Sequence, residues 1–490
     1  MAAAGQPSSE VLVTDLPKFD LQQYISNYRG RTVFRRLYLI ASCSAALREE
    51  AAKLAVLEAR KGSDVNNFKA AVALLASIPG YRDRDSDGLL DQSWAVAQQK
   101  TNARETNRLE NELKGYKNNL IKESIRMGNE DLGNHYYKIG DLAHAAKAYA
   151  RMRDYCTTPL HIASTAFRTI AINIEMKNWL GVHSQINKVR SLQMKQEELA
   201  RTQPKVNAAM GLQQMCSGEY RDAAISFLST DPSLGDSYNE FITSNDVAVY
   251  GGLCALASMT RAELQARVLE SQSFRSFLEL EPHIRRAISF FYASKYRQCL
   301  QILESYRADY LLDIYLQPHV NEIYRRVRTK AIVQYFVAFS KVTLAGMEST
   351  DSADAAGGND QAAAASSQAF RDELISLIQS GELDARIDLE SNTLIAKTTD
   401  QRAEMQKTAL ETVDRFIQDA HLKLIRLNVL NAGLEVVVDK KRLQQLQLQQ
   451  QANWAAGAGD DGWADDAGLS LNAGGLPLAS GAGRASRVGR

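Results

Sequence analysis

The densest set of potential metal ligands lies in residues 81–94, YRDRDSDGLLDQSW. Asp83, Asp85, Asp87 and Gly88 stand where a calcium loop has its positions 1, 3, 5 and 6, and Asp91 stands at position 9. Position 12 of such a loop needs a bidentate carboxylate, and Trp94 occupies it. Without that oxygen pair the stretch reads as a solvated acidic loop between helices. Seven histidines (His135, His144, His161, His183, His283, His319, His421) occur singly, with no HxH or HxxxH spacing to assemble zinc. Single histidines on helix faces read as structural or solvent-exposed. Five cysteines (Cys43, Cys156, Cys216, Cys254, Cys299) are scattered, with no CxxC pair. An odd, dispersed set in apolar surroundings reads as reduced core thiols in an intracellular protein. Neither a glycine-rich phosphate loop nor a GxSxG elbow is present. The sequence therefore nominates no catalytic, cofactor-binding or metal-binding residue, and the chain is expected not to be an enzyme.

Two basic clusters remain, Arg325–Lys330 and Lys440–Arg442. Solvated helix faces are the first reading for both; phosphate or an acidic partner, and nuclear import, are the functional ones. Composition gives no help to a nucleic-acid or membrane role. The 490 residues carry a formal net charge of +1, so no global field draws the chain to polyanions. No apolar run is long enough to span a bilayer, and the opening MAAAGQPSSE lacks the features of a signal peptide. Only nine prolines, among helix formers throughout, favour a mostly α body of two to four domains.

The elements that must position these residues follow from apolar periodicity. Residues up to Lys18 are expected to be disordered, followed by a short helix (DLQQYISNY) ending at Gly30. The run from Arg31 to Gly62 reads as one long helix with Val33, Leu37, Ile40, Leu47, Leu54 and Leu57 as its apolar stripe. Another helix, from Asn66 to Ser77, stops before Pro79. From Leu109 to Cys156 a charged lead-in containing Lys114, Lys117, Lys122 and Arg126 runs into a helical hairpin. Leu132, Gly133 and Tyr136 share a face of its first helix, Gly140 turns, and Ala145 and Tyr149 face back. That is a tetratricopeptide-like pattern without its tryptophan and closing proline. Similar turns fall at Asn178, Gly218, Ser258 and Lys295, a period of 37 to 40 residues. One hairpin cannot bury enough apolar surface to offset its ordering entropy, so such units must stack and share a core.

NDVAVYGGLCALA (245–257) is apolar enough for a fully buried helix, with Asp246 as its expected cap. Residues 348–368 are small and polar and are expected to form a disordered loop. Phe370, Leu374, Leu377 and Ile378 then mark a helix stopped by Gly381, and Ala385–Asp388 and Thr393–Lys397 read as two strands about LESN. Helix followed by hairpin is the second half of a winged helix. Its helix carries Asp372, Glu373, Glu382 and Asp384 around Arg371, a poor surface for DNA. A long amphipathic helix is expected from Thr408 to about Leu434, with Val413, Phe416, Ile417, Ala420, Leu424, Leu427 and Leu434 on one face.

Helical repeats, winged helix and terminal helix, in that order, resemble the PCI family of the proteasome lid, the COP9 signalosome and translation initiation factor three. FDLQQYISNYRGRTVFRRLYLIA, LENELKGYKNNLIKESIRMGNEDLG, GDLAHAAKAYARMRDYCT, NDVAVYGGLCALA, SFLELEP, LLDIYLQPHV and LISLIQSGELDARIDLESNTLIAK are closer to the signalosome branch of that family than to the lid branch. The resemblance covers roughly residues 19–430. Together with the composition of the two ends, it implies a mostly α fold: a disordered N-terminus (1–18), an N-terminal helical region (19–108), stacked hairpins in a right-handed superhelix (109–240), a PCI domain (241–402), a C-terminal bundle helix (403–451) and, from composition alone, a disordered tail (452–490). It further implies a non-catalytic scaffold without cofactor, acting in cytoplasm and nucleus. Its partners would be other PCI subunits and a metalloprotease subunit that removes Nedd8 from cullin-RING ligases. A lid-type scaffold is the alternative, and a winged-helix nucleic-acid module a weaker one. Family roles map the winged-helix contact onto Ala385, Arg386, Ile387, Asp388, Thr393, Leu394 and Ile395, and the bundle contact onto Phe416, Leu424 and Leu427. The insert and the tail depart from the family pattern.

Overall fold

The computed structural model describes residues 12–79, 81, 88–351, 360–397, 401–434, 444–446 and 448–449. Asp83, Asp85 and Asp87, the Lys440–Arg442 cluster and the tail after Ala452 lie outside the described residues. The chain divides into two compact units, Met1–Thr398 and Thr399–Arg490.

The first unit opens with α1 (Leu21–Ser26), α2 (Arg31–Cys43), α3 (Arg48–Lys61) and α4 (Val65–Ala76). Two expectations fail here. The segment before Lys18 is ordered from Leu12: Val13 is buried, its amide donates to the Cys43 carbonyl at 2.8 Å, and the Ala45 amide donates back to it at 3.1 Å. That extended bridge takes hydrogen-bonding groups away from the helix ladder, so the expected single helix breaks into α2 and α3. The second half also buries a different face. Ala51, Ala52, Ala55, Val56 and Ala59 are buried, whereas Leu57 is 44% exposed. Close packing through alanine wins over the leucine stripe.

Six helices and a partner follow: α5 (Ser93–Asn118), α6 (Lys122–Ile139), α7 (Leu142–Arg153), α8 (Pro159–Glu175), α9 (Trp179–Arg190), α10 (Gln196–Cys216) and α11 (Tyr220–Leu228). α5 starts well before Leu109; its first half is polar and buries only Ala95 and Asn102, so apolar periodicity does not reveal it. The charged lead-in is interrupted at Leu120, whose φ is 55°. Arg126 therefore belongs to α6, where it is buried and paired with Glu123 at 2.8 Å and Glu130 at 2.6 Å. Four inter-helix turns share one geometry. Gly140, Lys177, Gly218 and Ser294 have positive φ, and the next amide donates back to Tyr136, Asn173, Gln214 and Phe290 respectively. This six-to-one bond satisfies helix-end carbonyls in each hairpin. Inside the hairpins a glycine faces a ring: a Cβ on Gly133 would lie 2.5 Å from the Tyr149 ring, and one on Gly211 2.8 Å from Phe227.

Next come α12 (Ser244–Ser258), α13 (Arg261–Glu263), a π-helical turn at Leu264–Leu269, α14 (Gln272–Leu280), α15 (Pro282–Tyr292), α16 (Tyr296–Ser305), α17 (Arg307–Leu311) and α18 (Val320–Phe336). Burial on all sides makes α12 the axis of this region, and Gly251–Gly252 leave it unbroken. A Cβ on Gly252 would sit 2.3 Å from Ile284 Cγ2, so glycine here admits α15. Thr243, not Asp246, is the N-cap; Asp246 completes a reciprocal capping box from inside the helix. One apolar core runs from Ala163 on α8 to Ala331 on α18, as stacking requires.

The unit ends in β1 (Lys341–Thr343), α19 (Leu344–Asp351), α20 (Asp360–Gln379), β2 (Ala385–Asp388) and β3 (Thr393–Ala396). The sheet is antiparallel with order β1-β3-β2, and Leu394 faces both Val342 and Ile387. β1 was not expected, since three residues carry no readable alternation. The residues expected as a loop are helical at both ends, in α19 and from Asp360 onward in α20; 352–359 lie outside the described residues. Alanine is the best helix former, and the AAAA run simply extends α20.

By itself, the second unit contains α21 (Gln401–Asn431), which starts seven residues before Thr408 and stops at Gly433, φ 63°.

Candidate interaction surfaces

The residues that could carry chemistry are tied into structure. Among the described residues, no three of His, Cys, Asp or Glu converge as metal ligands. Asp91 accepts from the Ser93 amide at 2.9 Å, a turn contact. His135 pairs with Thr106 at 3.0 Å and His319 with the Tyr220 hydroxyl at 3.1 Å. Burial lowers both rings below their ordinary value, which keeps them neutral. All five cysteines are free, and burial pushes the thiols of Cys254 and Cys299 up to about 12.

The Arg325–Lys330 cluster is likewise internally committed. Arg325 and Arg326 share Glu322 at 2.8 and 2.7 Å, and Arg328 meets Glu373 at 3.2 Å. Lys330 Nζ donates to the carbonyls of Leu256 (2.7 Å) and Met259, closing the C-terminal end of α12. Burial lowers its amine to about 8.

A larger polar assembly is where sequence reading was silent. Arg36 on α2 is fully buried and meets Asp246 on α12 at 3.3 Å and Asp313, between α17 and α18, at 2.5 Å. Tyr28 donates to Asp246 and Tyr250 to Asp313, both at 2.7 Å, and the guanidinium lies 3.9 Å above the Tyr28 ring. Tyr24 completes the shell by accepting from Arg36. One cation serves two carboxylates. Burial raises Asp246 above the usual carboxylate value. It acts the same way on Asp313, but the Arg36 charge and hydrogen bond there are strong enough to hold that group below it. Arg31, one turn earlier, binds Asp64 at 2.9 Å and Glu175 on α8 at 3.0 Å, and the Arg29 amide donates to the Asn239 carbonyl at 3.1 Å. A single short stretch thus docks the N-terminal helices onto α8, the connection at Asn239, the start of α12 and the α17–α18 connection. Only the run of basic residues in RGRTVFRR hints at this in the sequence.

The predicted contact residues divide. Ala385, Thr393 and Leu394 are buried in the winged helix's own core with Phe370, Leu374 and Leu377. Arg386 is exposed, and Ile387, Asp388 and Ile395 are half-buried. Among the described residues β2 pairs only with β3, so it forms a sheet edge, and Leu389 beyond it is 71% exposed. Arg371 is held by Asn392 at 3.3 Å, which leaves α20 without an exposed basic row. On α21 the predicted residues are all accessible: Phe416 is 72%, Leu424 58% and Leu427 53% exposed. Val413, Ile417 and Leu434 extend the same apolar face. A helix with this much bare apolar surface needs a partner.

Comparison with known proteins resolves the branch. The family described as 26S proteasome subunit RPN7 matches residues 91–267, and the PCI domain matches residues 303–398. COP9 signalosome complex subunit 1 of Emericella nidulans is 56% identical over 429 residues, covering 87% of this chain and 85% of the relative. The Arabidopsis thaliana protein of the same name is 38% identical, over 84% of this chain and 90% of its own length. A lid relative, 26S proteasome non-ATPase regulatory subunit 6 of Caenorhabditis elegans, is 23% identical over 66% of this chain and 78% of its own length. With that breadth of identity on the signalosome side, the chain belongs to the COP9 signalosome complex subunit 1 family.

Proposed function

We propose that the chain is a non-catalytic scaffold subunit of a COP9 signalosome, supporting removal of Nedd8 from cullin-RING ligases by a metalloprotease in another subunit. The observation that carries this reading is α21, a long helix whose apolar residues are exposed; the winged-helix sheet of the first unit adds a free edge at β2. Helix bundling and strand addition are the two associations those surfaces support. Arg386, Ile387 and Asp388 are then the sheet-edge contacts, Ile395 on the central strand a contact on the sheet's face, and Phe416, Leu424 and Leu427 the bundle contacts. Ala385, Thr393 and Leu394 act by holding the sheet in shape. The reading needs no cofactor and places the protein in cytoplasm and nucleus.

Affinity purification of the native chain should return other PCI subunits together with a Nedd8-cleaving metalloprotease. Recovery of proteasome lid proteins in their place would transfer the chain to the lid. Nedd8 release from a modified cullin by the purified chain alone would overturn the non-catalytic assignment.

A further inference from the structure

A cavity of about 430 Å³ opens between the N-terminal helices, the start of α12, the start of α15 and the α17 region. Its floor contains the buried side chains of Tyr28, Asp246, Tyr250, Tyr310 and Asp313, and its rim the exposed Lys18, Asp20 and Pro282. Two properties of this cavity point the same way. The first is charge: the lining carries five carboxylates against one lysine, with Arg36 beneath already shared by two of them. Of the remaining three, Glu281 accepts from Asn245 at 2.7 Å and Asp20 caps α1. Asp309, half-buried, accepts the Lys18 amide at 2.8 Å, and burial raises its carboxyl above the ordinary value. The second is the wall. Tyr306 stacks on His283 with centroids 3.9 Å apart, and His283 is fixed by Tyr310 at 2.9 Å and Glu281 at 3.3 Å. A cation is already seated against it: Lys18 Nζ lies 4.1 Å from the Tyr306 ring centroid. An aromatic face among carboxylates that outnumber the nearby cations is the environment that attracts an organic cation.

We infer that this cavity is a binding site for a cationic side chain, arginine or lysine, from a partner polypeptide, with Tyr306 and Asp309 as its recognition residues and Lys18 as an internal occupant of its rim. A metal ion fits less well, because no three ligands converge among the described residues. Neither Tyr306 nor Asp309 belongs to the Arg36 cluster, so both can be changed without removing the ion pairs that dock the N-terminal helices. The site is independent of the winged-helix and α21 contacts.

Saturation-transfer NMR on the full chain, with the N-acetyl N-methylamides of arginine, lysine and norleucine as probes, tests this. Arginine and lysine probes should bind and the neutral norleucine probe should not; whichever cation binds more tightly names the side chain. Tyr306→Leu should weaken cation binding about five- to tenfold, the loss expected for one half-buried ring contact. Asp309→Asn should weaken it comparably, while Lys18→Ala should tighten it by vacating the rim. Circular dichroism melting verifies that each variant is folded. Equal binding of norleucine, cation binding unchanged in Tyr306→Leu and Asp309→Asn, or no binding to either the native chain or Lys18→Ala would each overturn the assignment.

Discussion

Lys330 shows how a residue type changes meaning once its neighbours are known. In the sequence it belongs to a basic cluster; in the fold it closes the last carbonyls of α12. Its amine is lowered to about 8 from an ordinary 10.5, so the unfolded chain binds the proton more tightly. Stability therefore gains from this group as pH rises through about 8 toward 10.5. The thiols of Cys216, Cys254 and Cys299, raised by burial from 9.0, act oppositely once the unfolded thiols ionise. Comparing the native chain with Lys330→Met by denaturant unfolding isolates the lysine. Going up from pH 8, the native stability should rise relative to the variant; a constant difference would contradict it. Gly133 makes a second case, and here the sequence was informative. Repeat spacing put Gly133 and Tyr149 on the facing sides of two helices; the structure sets the ring directly against the glycine and leaves no room for a Cβ. Gly133→Ala should cost about 1–3 kcal/mol in denaturant unfolding. An unchanged midpoint would mean the hairpin tolerates a wider gap.

At the scale of elements, legibility followed the length of the pattern. The hairpin turns and α21 were readable because 37–40-residue periodicity and a sustained apolar face accumulate over many residues. The break between α2 and α3 was not, because its cause, Val13, is a distant extended segment that the local pattern does not contain. β1 and the helical ends of the 348–368 stretch were missed for related reasons: one is too short for alternation, the other is polar yet alanine-rich. The two strands at 385–388 and 393–396 were legible, but their burial was not uniform, and Leu389 emerges as the exposed apolar tip of the wing. Leu389→Asp should leave the melting temperature unchanged and reduce recovery of neighbouring PCI subunits on affinity purification. A destabilised variant, or full recovery, would argue against a contact at that tip.

Within the first unit, the N-terminal helices are held by charges more than two hundred residues away in sequence. No spacing rule encodes such a contact, and Arg36, Asp246 and Asp313 each look unremarkable where they stand. Removing the cation leaves two buried carboxylates unpaired, which is the expensive way to break a buried ion pair. Arg36→Met should destabilise the unit by about 3–5 kcal/mol. Hydrogen exchange at α1, α2 and the start of α12 should accelerate, and acidification should shrink the deficit as the carboxylates take up protons. Unchanged protection there would show that apolar packing alone docks these helices.

The scaffold reading rests most heavily on α21, which lies in the second compact unit with its apolar face bare. The direct measurement is native mass spectrometry of complexes captured on Phe416→Asp/Leu424→Asp/Leu427→Asp, compared with the native chain. The account predicts a repeat body that melts normally but is recovered without its PCI partners and metalloprotease. Recovery of the intact complex on the triple variant would contradict it.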